Sequence, residues 1–168
     1  YLTHKPLIKV NNKSLIRYAV ESLDIVGDYI FVCRDLGGTY MSDLKIELDQ
    51  YFDNSESTYT IEIIDHVTTG AAETALAGML DSYNGELIIT NCDQYLDWDS
   101  ETFIANSRSY DGCVLTYESE DLKNSFAKTI NNKVVKMIEK PKGSIEGDAL
   151  VGVHYWKKAQ DFVSSGNK

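Results

Sequence analysis

Eight short apolar runs, most followed by an amphipathic or turn-rich stretch, pass along this sequence from end to end, and that alternation is what most constrains its fold. "DYIFVCR" (28–34), "YTIEIID" (59–65), "ELIITNCD" (86–93), "GCVLTYE" (112–118) and "ALVGVHYW" (149–156) have the β-branched and aromatic density of strands. Between them lie segments with helical periodicity: 12–23, where Leu15, Ile16, Ala19, Val20 and Leu23 share a face, then 39–52, 70–83 and 100–108, with a last one over 157–166. Asn12 or Ser14 offers a cap for the first, and Ser100 for the fourth. "PLIKV" (6–10) reads as a further short strand. Over 125–140 the period changes to two on either side of Asn131 and Asn132, which is a hairpin signal because Asn tolerates the positive φ of a tight turn. Repeated βα units followed by a hairpin predict a single α/β domain with a mixed, mainly parallel sheet and an antiparallel hairpin extension.

Composition narrows the function classes. At 168 residues and 43% hydrophobic the chain can bury a core of its own. Its formal charge of −10 argues against nucleic acid or an anionic membrane as partner, since both are met by clustered Lys and Arg. No apolar run approaches the ~18 residues that would span a bilayer. Cys33, Cys92 and Cys113 form no Cys-x-x-Cys pair and are expected to be buried free thiols in a cytoplasmic, reducing setting. Both ends read as cut: the sequence opens without Met and stops within a helical pattern.

Chemistry concentrates at the ends of the strands, where open α/β sheets place their ligands. In "TNCDQYLDWD" Asp93 closes an apolar run and offers a carboxylate to a hard cation bridging substrate phosphates, while Asp97 and Asp99 form an Asp-x-Asp. Asp99 is better explained as helix-start chemistry, and Asp97 as a loop residue. In "TTGAAETALAG" Thr69 and Gly70 precede a helix start, where free backbone N–H groups and the lack of a Cβ let a ring or phosphate approach. Lys5, before Pro6, can project a charge into the crevice. "MIEKPKG" sets Glu139, an acceptor for sugar hydroxyls, beside Lys140, a partner for phosphate. His4, His66 and His154 have no nucleophile or ligand partner by spacing and receive no catalytic role.

The order of these motifs, "KPLI", "TTG-x-x-x-T-x-L", a strand ending "N-x-D", a hairpin ending "IEKP" and then "GVHYW", resembles the sugar-phosphate nucleotidyltransferases over Lys5 to Trp156. The resemblance implies a Rossmann-like three-layer α/β/α core. It implies an enzyme in which a sugar 1-phosphate attacks the α-phosphorus of a nucleoside triphosphate and releases pyrophosphate, supplying nucleotide sugars for polysaccharide biosynthesis. Carried over by position, Lys5 is the phosphate-contacting lysine, and Thr69 and Gly70 lie at the nucleotide. Asp93 is the Mg2+ ligand, Glu139 and Gly152 line the sugar pocket, and Lys140 meets the sugar phosphate. The family's G-x-G-x-R loop would precede Tyr1, and its second metal-binding Asp has no match here. Homo-oligomerisation stays open. Two other readings compete: a glycosyltransferase using Asp97 and Asp99, and a non-catalytic nucleotide-sugar-binding module on the same fold.

Overall fold

A computed structural model describes residues 4–79 and 83–166. The chain opens on a 3-10 turn, Lys5–Leu7, with Pro6 at its start, where its missing N–H is no loss. The strand expected over 6–10 is therefore reduced to Lys9–Val10 (β1). It pairs antiparallel with Lys13–Ser14 (β2) across Asn11 and Asn12, both left-handed at φ 51° and 65°. Because those asparagines form a turn, the first helix starts later than the periodicity suggested, at Leu15–Leu23 (α1). Ser14 is its N-cap, accepting from the Arg17 N–H at 3.4 Å. Its apolar face buries Ile16, Ala19, Val20 and Leu23 as expected.

Asp28–Arg34 (β3) and Thr58–Ile64 (β4) run parallel, in register from Asp28 opposite Thr58 to Arg34 opposite Ile64. The crossover that parallel strands require is Tyr40–Phe52 (α2). Leu44, Leu48 and Phe52 of this helix join Leu7, Ile16 and Val20 over Tyr29, Phe31 and Cys33 of β3. Burying side chains such as Ile16 and Leu48, 2% and 0% exposed, is worth about 1.5–3 kcal/mol each. The opposite face of β3 carries Ile30 and Val32, and Ala71–Ala77 (α3) lies close against it: a Cβ on Gly78 would meet both side chains. That helix is shorter than the expected 70–83, and positions 80–82 of that expectation lie outside the described residues.

Leu87–Thr90 (β5), Gly112–Tyr117 (β6), Phe126–Ile130 (β7), Lys133–Ile138 (β8) and Asp148–Trp156 (β9) form the second sheet, in which β9 pairs antiparallel with β5, β6 and β7. The β7–β8 hairpin turns through Asn131 and Asn132 at φ 50° and 59°, as the sequence indicates. Ser100–Ser107 (α4) joins α1 on one face, with Leu23, Leu96, Trp98 and Phe103 packed over Ile88, Leu115 and Val153. Ala159–Gly166 (α5) contacts α3 and β9 on the other. Helices thus cover both faces, and the three-layer α/β fold with mixed pairing and a hairpin extension is present. Antiparallel ladders carry more of the pairing than the βα rhythm implied, because β9 returns through the middle of the second sheet.

The cysteines are all free. Cys33 and Cys113 are half-buried, whereas Cys92, expected inside, is exposed. The expected strand 86–93 stops at Thr90, which leaves Cys92 in the loop beyond it. Among the described residues no helix is long and apolar enough to cross a membrane.

Candidate active site

Ending β5 at Thr90 turns Asn91, Cys92 and Asp93 out of the ladder and towards the opening turn of the chain. There the Lys5 ammonium pairs with Asp93 Oδ2, the lysine side chain 71% exposed and the aspartate 25%. The hydrogen bond to Asp93, and then its charge, holds the Lys5 pKa above the ordinary lysine value. Sequence spacing of 88 positions gives no hint of this pair; the turn at Pro6 and the strand end bring the two residues together. Among the described residues no three His, Cys, Asp or Glu side chains gather as a metal cage. Asp93 is a single carboxylate at the strand end, the kind of donor that a divalent cation carried on phosphates with its own waters can use.

Across the β5–β9 ladder Asn91 meets Gly152. Gly152 stands at φ 93°, and a Cβ on it would lie 2.3 Å from Asn91 Nδ2, so only glycine fits both the backbone and the space. Two residues back along β9, the Leu150 N–H donates to the Ser125 carbonyl at 2.8 Å, and the Ser125 hydroxyl donates to Glu139 Oε2. Lys140 Nζ lies 3.5 Å from Glu139 Oε1, with both side chains about 70% exposed, at 69% and 72%. Lys140 is held at φ 39°, an unusual conformation for a non-glycine residue and here set directly before Pro141. Asp93, Asn91, Gly152, Ser125 and Glu139 thus follow one another through contacts and ladder neighbours along one end of the second sheet.

Thr69 and Gly70 lie on the other flank, beyond the carboxyl ends of β3 and β4. Gly70 is the N-cap of α3 in an extended conformation, with open space where a Cβ would stand. That leaves its main chain open on that side. The Thr69 N–H is less available: it donates to Glu73 Oε2 at 2.6 Å, and the Thr69 hydroxyl to the same oxygen at 2.8 Å. His66, which spacing left without a partner, lies between Asp65 and Glu73, with Nδ1 3.0 Å from Asp65 Oδ1 and Nε2 3.4 Å from Glu73 Oε1. These carboxylates, Asp65 first, raise its pKa above 6.5. With Arg34, Thr68 and Thr74 it borders a shallow pocket of about 200 Å³. Arg34, His66 and Asn91 border these places without having been singled out as site residues from the sequence; the strand-end positions of Arg34 and Asn91 were the available signal.

The Asp-x-Asp reading finds no support in the geometry. Asp99 is the N-cap of α4: Oδ1 accepts from the Thr102 N–H at 2.9 Å and Oδ2 from the Thr102 hydroxyl at 2.7 Å. Ser100, expected as the cap, is buried instead and donates to the Asp24 carbonyl at 2.8 Å. Asp97 is exposed in the loop. His154 is half-buried in β9, and burial lowers its pKa.

No family model and no curated protein sequence matches this chain. Solved structures do. The nucleoside-diphosphate-sugar pyrophosphorylase from Vibrio cholerae RC9 superposes with a TM-score of 0.77 at 19% identity, over 99% of this chain and 70% of that one. A protein described as a glucose-1-phosphate thymidylyltransferase from Bacillus anthracis, solved with sucrose, gives 0.74 at 20% identity, over 96% and 65%. This chain has the nucleotidyltransferase fold. A more distant example, 4-diphosphocytidyl-2C-methyl-D-erythritol synthase from Anaerococcus prevotii, gives 0.59 at 13% identity, over 94% of this chain and 68% of that one. The chain spans about two thirds of the length of these nucleotidyltransferase-fold proteins, and at such identity the likeness shows the fold.

Proposed function

We propose that this chain carries the core of a sugar-phosphate nucleotidyltransferase. The observation that carries the reading is the Lys5–Asp93 pair at the end of β5, in line with Gly152 and the Glu139–Lys140 end of the hairpin, on this fold. A phosphate oxygen of a sugar 1-phosphate attacks the α-phosphorus of a nucleoside triphosphate; the bond from that phosphorus to the α–β bridging oxygen breaks, and pyrophosphate leaves. Such a transfer asks the protein for positioning and charge neutralisation more than for covalent chemistry.

Lys5, largely exposed, is free to exchange Asp93 for a phosphate oxygen when substrate arrives, and Asp93 would then hold a Mg2+ ion that neutralises triphosphate charge. Lys140 meets the sugar phosphate, and Glu139, kept in place by Ser125, accepts from a sugar hydroxyl. Thr69 and Gly70 receive the nucleotide on the open main chain at the start of α3. The glycosyltransferase alternative is not favoured, because both oxygens of Asp99 are taken by Thr102. Pyrophosphate release from a panel of nucleoside triphosphates and sugar 1-phosphates, measured on the full-length protein with Mg2+, tests the proposal. One strongly preferred pair is expected; no release with any pair would overturn it.

A further inference from the structure

Facing pairs along β5 and β9 are Ile89 with His154 and Thr90 with Val153, so one further step sets Asn91 against Gly152. The Asn91 carboxamide fills the volume that a side chain at 152 would take, its Nδ2 being 2.3 Å and its Cγ 3.1 Å from that Cβ position. A second contact fixes its orientation: Nδ2 donates to Gln94 Oε1 at 3.2 Å, and Gln94 Nε2 donates in turn to Thr90 Oγ1 at 3.1 Å. With Nδ2 engaged by Gln94 and packed over Gly152, Oδ1, 3.5 Å from the Cβ position there, is the acceptor that the amide presents, two residues from Asp93. Filling space over a glycine needs only an apolar group. A polar acceptor whose amide is held by Gln94, itself held by Thr90, is instead preorganised to meet a donor, and a site built this way penalises a ligand that lacks the donor.

We infer that Asn91 is a specificity-determining residue on the sugar side, its Oδ1 accepting a hydrogen bond from a hydroxyl of the sugar 1-phosphate, with Gln94 and Thr90 as positioning residues. The inference rests on the nucleotidyltransferase reading above and adds to it the kind of substrate group that is read: a hydroxylated carbon facing Gly152, not a deoxygenated one.

The test is steady-state kinetics on the full-length protein with its best triphosphate, its best sugar 1-phosphate and the monodeoxy analogues of that sugar phosphate. Asn91→Ala and the volume-keeping Asn91→Leu should raise KM for the sugar phosphate about 10- to 100-fold, the loss of one good hydrogen bond, and leave KM for the triphosphate near wild type. Both should also lose the wild-type preference for the parent sugar over one particular monodeoxy analogue. Gln94→Ala should move the same constants in the same direction by less. If Asn91→Ala unfolds, Asn91→Leu decides by itself. An active protein in which Asn91→Leu keeps both the KM and the discrimination overturns the role of Asn91 alone. A wild-type protein that turns over no sugar phosphate overturns the enzymatic reading and this inference together.

Discussion

Lys5 and Asp93 form an ion pair between two elements that share no ladder, the opening 3-10 turn and the loop after β5. If the pair marks the reaction centre, the two partners should fail differently from the aspartates beside them. Asp93→Asn should abolish Mg2+-dependent turnover with an unchanged circular dichroism spectrum. Asp97→Asn and Asp99→Asn should cost far less activity, Asp99→Asn showing itself mainly as a weaker α4 cap. Lys5→Ala should lower kcat by ~10²–10³, as for the loss of one preorganised electrostatic partner. A silent Asp93→Asn beside an inactive Asp97, Asp99 double variant would move the site to the Asp-x-Asp.

On the proposed reading Lys140 meets the sugar phosphate, and it would do so in ground and transition states alike. Its removal should therefore appear in KM and not in kcat. Lys140→Ala is expected to raise KM for the sugar 1-phosphate about 10-fold or more, by the worth of a charge-assisted contact. Wild-type constants for both substrates would place Lys140 outside the site.

Stability should depend on Ser14 more than its size suggests. It is fully buried, caps α1, and its hydroxyl donates to Glu47 Oε2 at 2.8 Å, while Lys9 holds Oε1 at 3.1 Å. Ser14→Ala removes the cap and leaves a nearly buried carboxylate oxygen without its donor, so a loss of about 1–3 kcal/mol is expected in urea denaturation. A change under ~0.5 kcal/mol would show that water or a rotated Glu47 replaces the contact.

His66, just after β4, and His154, within β9, should titrate on opposite sides of their ordinary 6.5. His66 is raised, by its hydrogen bond to Asp65 and then that to Glu73. Its pairing therefore supports the folded state fully below about pH 6.5 and is lost as pH rises through the folded midpoint. His154 is lowered by burial, so the unfolded chain takes its proton first; the stability held above pH 6.5 is lost as pH falls through the lower folded midpoint. Imidazole NMR titrations would check both, and Glu73→Gln should move only the His66 midpoint, downward.

Much of this protein follows from local pattern. Period-two and period-3.6 runs located β3, α2, β4, β6 and the β7–β8 hairpin closely, because side-chain spacing along a strand or helix is set by backbone geometry alone. Asn131 and Asn132 marked their turn for the same reason: the left-handed conformation is a property of the residue itself. Asn11 and Asn12 carry the same signal, yet the helical periodicity of 12–23 takes in Asn12 as a possible cap.

Tertiary structure decided the rest, since pairing and approach depend on residues far apart in the chain. That β9 lies between β5 and β6, that Lys5 reaches Asp93, that Glu73 draws in both Thr69 and His66, and that Asn91 fills the space over Gly152 are all set by packing across the sheets. A sequence states that position 152 is glycine; only the folded chain shows that the reason is an asparagine 61 positions earlier, whose amide stands where a side chain would have to be.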